Sequence, residues 1–138
     1  MREIKFRGRK SNGEWLYGDL VHNVGVGAST ALIFPEEAHD SWDRYIVLTD
    51  TIGQFTGLYD ENGEEIYEGD IVERFQPMPH YRNGAFYDGN AIYGVVRYID
   101  AGFYILCENQ AYELSRNFDM WVQGNIHDNP NLLTNGNN

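Results

Sequence analysis

Residues 53–75 read GQFTGLYDENGEEIYEGDIVERF, and residues 60–70 within them, DENGEEIYEGD, set six carboxylates in eleven residues around two glycines. Three readings compete: a metal-binding loop, a catalytic acidic cluster, or a β-hairpin. The calcium reading fails on register. An EF-hand loop opening at Asp60 needs glycine at its sixth position and glutamate at its twelfth, where this chain has Glu65 and Ile71. The catalytic reading needs two carboxylates at a set separation in a cleft, which spacing along a turn does not supply. The hairpin reading needs only what is there. Asn62-Gly63 accepts the positive φ of a tight turn, and apolar Phe55 and Leu58 before it are answered by Ile66, Tyr67, Ile71 and Val72 after it. On this reading Glu61, Glu64, Glu65 and Glu68 lie around a turn in solvent.

The stretch has an echo fifty residues earlier. Asn12-Gly13-Glu14-Trp15-Leu16-Tyr17-Gly18-Asp19-Leu20-Val21 matches Asn62 to Val72 at seven of ten positions when Glu68 is taken as an inserted residue. Each copy is an Asn-Gly turn, a strand, a Gly-Asp break and a resumed apolar pair. Gly-Asp inside a strand pattern predicts a bulge or a corner of the kind a small barrel needs.

The rest of the chain follows the same grammar. Ile4 and Phe6 alternate with Glu3, Lys5 and Arg7, which predicts a half-buried strand with its charges outward. Five of the ten basic residues, Arg2, Lys5, Arg7, Arg9 and Lys10, fall here, as expected of a charged edge strand. Asn23 to Asp43 reads as a loop or insertion, and Tyr45 to Thr49 as a short strand. Gln76 to Ala91 reads as a long loop broken by Pro77, Pro79, Asn83-Gly84 and Asp88-Gly89. Ile92–Ile99 and Phe103–Leu106 predict a hairpin across Asp100-Ala101-Gly102, and Met120–Ile126 a last strand. Tyr112–Phe118 is the best candidate for a short helix. The fold class expected is all-β, a small barrel or roll with at most one or two short helices. Its domains are 1–50, an N-terminal hairpin region with a variable loop, 51–133, a small β-barrel, and 134–138, a disordered tail.

Composition narrows function by exclusion. A content of 42% hydrophobic and 14% aromatic residues is that of a folded chain, and 138 residues suit one domain or two small ones. One cysteine, Cys107, rules out an internal disulfide, and it sits in an apolar run, Tyr104 to Leu106, that predicts a buried strand. No apolar h-region follows Met1 and no apolar run nears eighteen residues, so a reducing cytoplasm is expected, with no membrane. A net charge of −11 opposes binding to nucleic acid. His22, His39, His80 and His127 lack metal-ligand spacing, and no nucleophile elbow, phosphate loop or dinucleotide fingerprint occurs. No catalytic, metal or cofactor-binding residue is predicted. The candidate partner-binding residues are Tyr81, Arg82, Phe86 and Tyr87, exposed aromatics and a cation in the long loop.

Three pieces, MREIKFRGRKSNGEWLYGDLV, TIGQFTGLYDENGEEIYEGDIV and WVQGNIHDNPNLL, together span nearly the whole chain and resemble the YopX family of small phage and prophage proteins. The resemblance implies an N-terminal hairpin region, an SH3-like C-terminal barrel and a phage or prophage origin in the bacterial cytoplasm. It carries no assigned activity, cofactor or catalytic residue. The function expected is a non-enzymatic interaction module with a protein partner. The alternatives are a nucleic-acid-associated barrel, using the basic first strand and the loop aromatics, and an acidic DNA mimic that occupies a host protein.

Overall fold

The structure is a computed structural model and describes residues 2–22, 30–75 and 91–136. It divides into two units, Met1–Phe55 and Thr56–Asn138. Each is built of short antiparallel strands, so the all-β expectation holds.

In the first unit β1 (Phe6–Arg9), β2 (Trp15–His22), β3 (Ala31–Phe34) and β4 (Ile46–Val47) follow one another as antiparallel neighbours. The chain after β4 returns to β1, because Leu48 N donates to Arg9 O at 2.8 Å. The strands thereby curl around Leu16, Ala31, Leu32, Ile33, Tyr45 and Val47. Two single-turn 3-10 segments, Trp42–Tyr45 and Thr49–Thr51, flank β4.

Strand β3 lies inside the region that sequence reading takes as a loop or insertion. Ala31, Leu32 and Ile33 are fully buried, so the run has no polar alternation to mark it. The chain leading out of β3 is held as well: the Tyr45 hydroxyl accepts from both His39 N and Asp40 N at 3.1 Å. The expected strand at Tyr45–Thr49 shrinks to the two residues of β4, with a 3-10 turn on either side.

The first strand corrects two expectations. It is not an edge, since β2 pairs along one side and the start of β5 (Gly53–Tyr59) along the other, with Arg7 opposite both Tyr17 and Gly53. Two residues also depart from the expected faces, while Phe6 packs on the first-unit core as expected: Ile4 is 58% exposed and Arg7 only 5%. The reason is Trp15, whose ring centroid lies 4.8 Å from the Arg7 guanidinium and 5.9 Å from that of Arg9. Stacking on an aromatic face lets a guanidinium be covered while its charge meets the ring quadrupole.

Strand β5 runs on into the second unit, where its neighbour is β6 (Glu65–Tyr67). The remaining strands are β7 (Asp70–Phe75), β8 (Ile92–Ile99), β9 (Gly102–Cys107), β10 (Gln110–Glu113) and β11 (Asp119–Asn125), in the spatial order β10-β9-β8-β7-β11. They enclose Ile66, Val72, Val96, Ile105, Leu114 and Met120. The helix expected at Tyr112–Phe118 is absent: Tyr112 belongs to β10, paired with Ile105, and the chain then turns with Phe118 N donating to Ser115 O. The apolar residues here are spaced for a strand and a turn that both drop onto the same core. The one α-helix among the described residues, α1, is short and spans Asn131–Gly136.

The β8–β9 turn is tighter than its three-residue sequence signature. Ile99 pairs with Gly102, which leaves Asp100 and Ala101 as the turn, at φ +49° and +65°. A two-residue hairpin of this type favours glycine at its second position, and alanine there is strained. Ala101→Gly is therefore expected to stabilise the chain by about 0.5–1 kcal/mol, read as a higher urea midpoint at unchanged slope.

Candidate functional site

The carboxylate-rich stretch resolves into two kinds of acid. Glu61 and Glu64 are exposed and Glu65 and Glu68 half-buried, which agrees with a turn and its adjoining strand. Asp60 and Asp70 are different, only 6% and 2% exposed. Asp60 Oδ1 accepts from Asn62 N and Glu64 N at 2.9 Å, and its Oδ2 accepts from Val122 N at 3.0 Å. With Glu61 N donating to Met120 O, the β5–β6 turn is fastened to β11. Asp70 Oδ2 accepts from Tyr67 N at 2.7 Å and closes the β6–β7 turn. These oxygens are already occupied by backbone donors, and no group of three or more His, Cys, Asp or Glu among the described residues is placed to hold a metal ion.

The echo is real in geometry up to its glycine-aspartate. In the first copy Lys10 N donates to Glu14 O and Gly13 N to Lys10 O; in the second Asp60 N donates to Glu64 O and Gly63 N to Asp60 O. Gly13 and Gly63 sit at φ +95° and +83°. After the turns the copies part. Without an inserted residue, β2 runs straight through Gly18-Asp19. Glu68, the insertion, makes with Gly69 a turn that leads from β6 into β7, held by Gly69 N to Val96 O and Ile126 N to Gly69 O.

Among the described residues, each unit carries a cleft. In the second unit a cleft of about 270 Å3 lies against β8 and β9 beside Arg97, Cys107, Glu108 and Leu133. Cys107 is half-buried there rather than fully buried, because it ends β9 at the turn to β10. In the first unit a cleft of about 430 Å3 opens between the chain entering β1, the middle of β2 and the exit of β3. Its lining is Glu3, Ile4, Lys5, Tyr17, Gly18, Asp19, Phe34 and Glu36. Gly18 shapes it: Phe34 and Pro35 pass so close that any side chain at 18 would collide with their backbone.

The basic residues of the first strand are engaged. Lys5 Nζ is 3.7 Å from a Glu3 carboxylate oxygen and 5.4 Å from the Phe55 ring, Lys10 Nζ is 3.3 Å from Glu14, and Arg7 and Arg9 flank Trp15. Charge is unevenly divided. The first unit holds six Lys and Arg against eight Asp and Glu and the second four against thirteen, so the second carries −9 of the net −11. Of the predicted partner-binding residues, Tyr81, Arg82, Phe86 and Tyr87 all lie outside the described residues. Sequence reading missed the first-unit cleft. Tyr17 and Asp19 were visible as parts of the echo, but their convergence with Phe34 and Glu36 depends on a strand taken for a loop.

No helix among the described residues is long and apolar enough to cross a membrane. No curated protein matches the chain. The crystal structure of protein EF1440 from Enterococcus faecalis is similar, with a TM-score of 0.56 and 24% identity over 96% of this chain and 99% of that one, a likeness of fold. The family model described as YopX protein matches residues 5–134, and the chain belongs to the YopX family.

Proposed function

We propose that this YopX-family chain is a non-enzymatic interaction module, encoded by a phage or prophage, that engages a protein partner in the bacterial cytoplasm. The observation that carries the reading is the first-unit cleft, where exposed Ile4 and Tyr17 stand beside carboxylates in a concavity of about 430 Å3. Apolar side chains ringed by polar ones form the usual core and rim of a recognition surface. The negative charge of the chain works against a nucleic-acid partner.

The acidic second unit favours one other reading, a mimic of DNA that occupies the basic surface of a host protein. One experiment separates the two. The full chain is immobilised and used to capture host-cell proteins, in parallel with Tyr17→Ala and with duplex DNA as competitor. The expected result is a partner retained by the natural chain, lost with Tyr17→Ala and indifferent to DNA. Displacement by duplex DNA selects the mimic, and recovery equal to bare resin ends both.

A further inference from the structure

We propose that the first-unit cleft is a receptor for an arginine side chain of a basic peptide. The inference rests on the interaction reading above and names the chemistry of the partner. Three carboxylates, Glu3, Asp19 and Glu36, and one ammonium, Lys5, line the cleft. Lys5 and Glu3 form an ion pair across 3.7 Å. That leaves Asp19 and Glu36, both exposed, whose carboxylates make no hydrogen bond or ion pair among the described residues. The same cleft is lined by the Tyr17 ring, 43% exposed, and by half-buried Phe34, whose ring packs on Tyr45 at 5.3 Å.

A guanidinium meets each of these features at once. Its flat face stacks on an aromatic ring, its forked edge pairs with a carboxylate, and its three-carbon stem lies along apolar surface such as Ile4. A phosphate or an acidic peptide would meet two uncompensated carboxylates instead. A lysine would find the charge but neither the planar stack nor the fork, so arginine is preferred.

The test is a titration of the 15N-labelled full chain with a blocked Gly-Arg-Gly peptide, with Gly-Lys-Gly and the neutral isostere Gly-citrulline-Gly as controls. Saturable amide shifts are expected at Tyr17, Gly18, Asp19 and Glu36. Affinity should run arginine above lysine, citrulline should not bind, and Asp19→Asn with Glu36→Gln should weaken arginine binding at least about tenfold. Both substitutions are at exposed residues, and the spectrum of the variant checks its fold. The second unit is an internal control, since attraction by charge alone would go first to its excess of thirteen acids over four bases. Shifts that fail to saturate and gather on that unit, or equal affinity in the double variant, overturn the inference. If Tyr17→Ala still abolishes capture of a partner while the arginine peptide does not bind, the interaction reading stands and the arginine receptor falls.

Discussion

Replacing Asp60 by alanine is expected to cost about 3 kcal/mol of stability, while Glu61→Ala and Glu64→Ala in the same turn stay within about 0.5 kcal/mol of the natural chain. The carboxylate accepts three backbone donors, two inside its own turn and one from Val122, sixty-two residues away. A hydrogen bond to a charged group contributes about 1.5–3 kcal/mol, and the three would sum to more than is expected here. Two of the donors, on Asn62 and Glu64, belong to exposed residues and regain water once the carboxylate is gone. Val122 N lies within half-buried β11 and regains water less readily. Asp60→Asn keeps one carbonyl oxygen and should lose about half as much. Urea unfolding of the set at common slope is the measurement, and coincident midpoints for Asp60→Ala and Glu64→Ala would remove the argument.

Asp60 also marks where reading by residue type stops working. Composition and turn chemistry sufficed to place the hairpin at Asn62-Gly63, to reject calcium and to assign the glutamates to its outside. They could not separate Asp60 from Glu61, because what distinguishes them is the approach of β11, a contact made across sixty residues. The same limit produced the other departures. Arg7 read as an outward charge because alternation assigns faces by polarity, whereas Trp15 from the next strand covers it. Ala31–Phe34 read as loop because a strand buried on both faces has no alternation to recognise. Local chemistry was legible; tertiary partners were not. The first-unit cleft needs both, since Tyr17 and Asp19 come from the echo while Phe34 and Glu36 come from the strand and exit that the pattern hid. The family resemblance did not close that gap, because it rests on the turns and corners that recur and carries no site.

Gly18→Ala is expected to cost about 3 kcal/mol, well above the roughly 1 kcal/mol expected for Gly13→Ala in the adjoining turn. The two glycines are required for different reasons. At Gly13 the space around an added Cβ is empty, and the cost is the positive φ of +95° alone. At Gly18 the Cβ would meet the carbonyl of Phe34, with the carbonyl carbon at 2.7 Å and Pro35 Cα at 3.0 Å. Those are backbone atoms, and proline stiffens the second of them, so no rotamer change relieves the clash. β3 would have to move off β2, and Asp19 is paired directly to Phe34 in that ladder. Gly63→Ala repeats the Gly13 experiment in the second copy, where φ is +83° and nothing lies within 4 Å, and should repeat its small cost. Urea midpoints for the three variants decide the matter. Equal losses at 13, 18 and 63 would mean that the echo is held by backbone conformation throughout, and that the close passage of β3 over β2, which shapes the cleft, is not rigid.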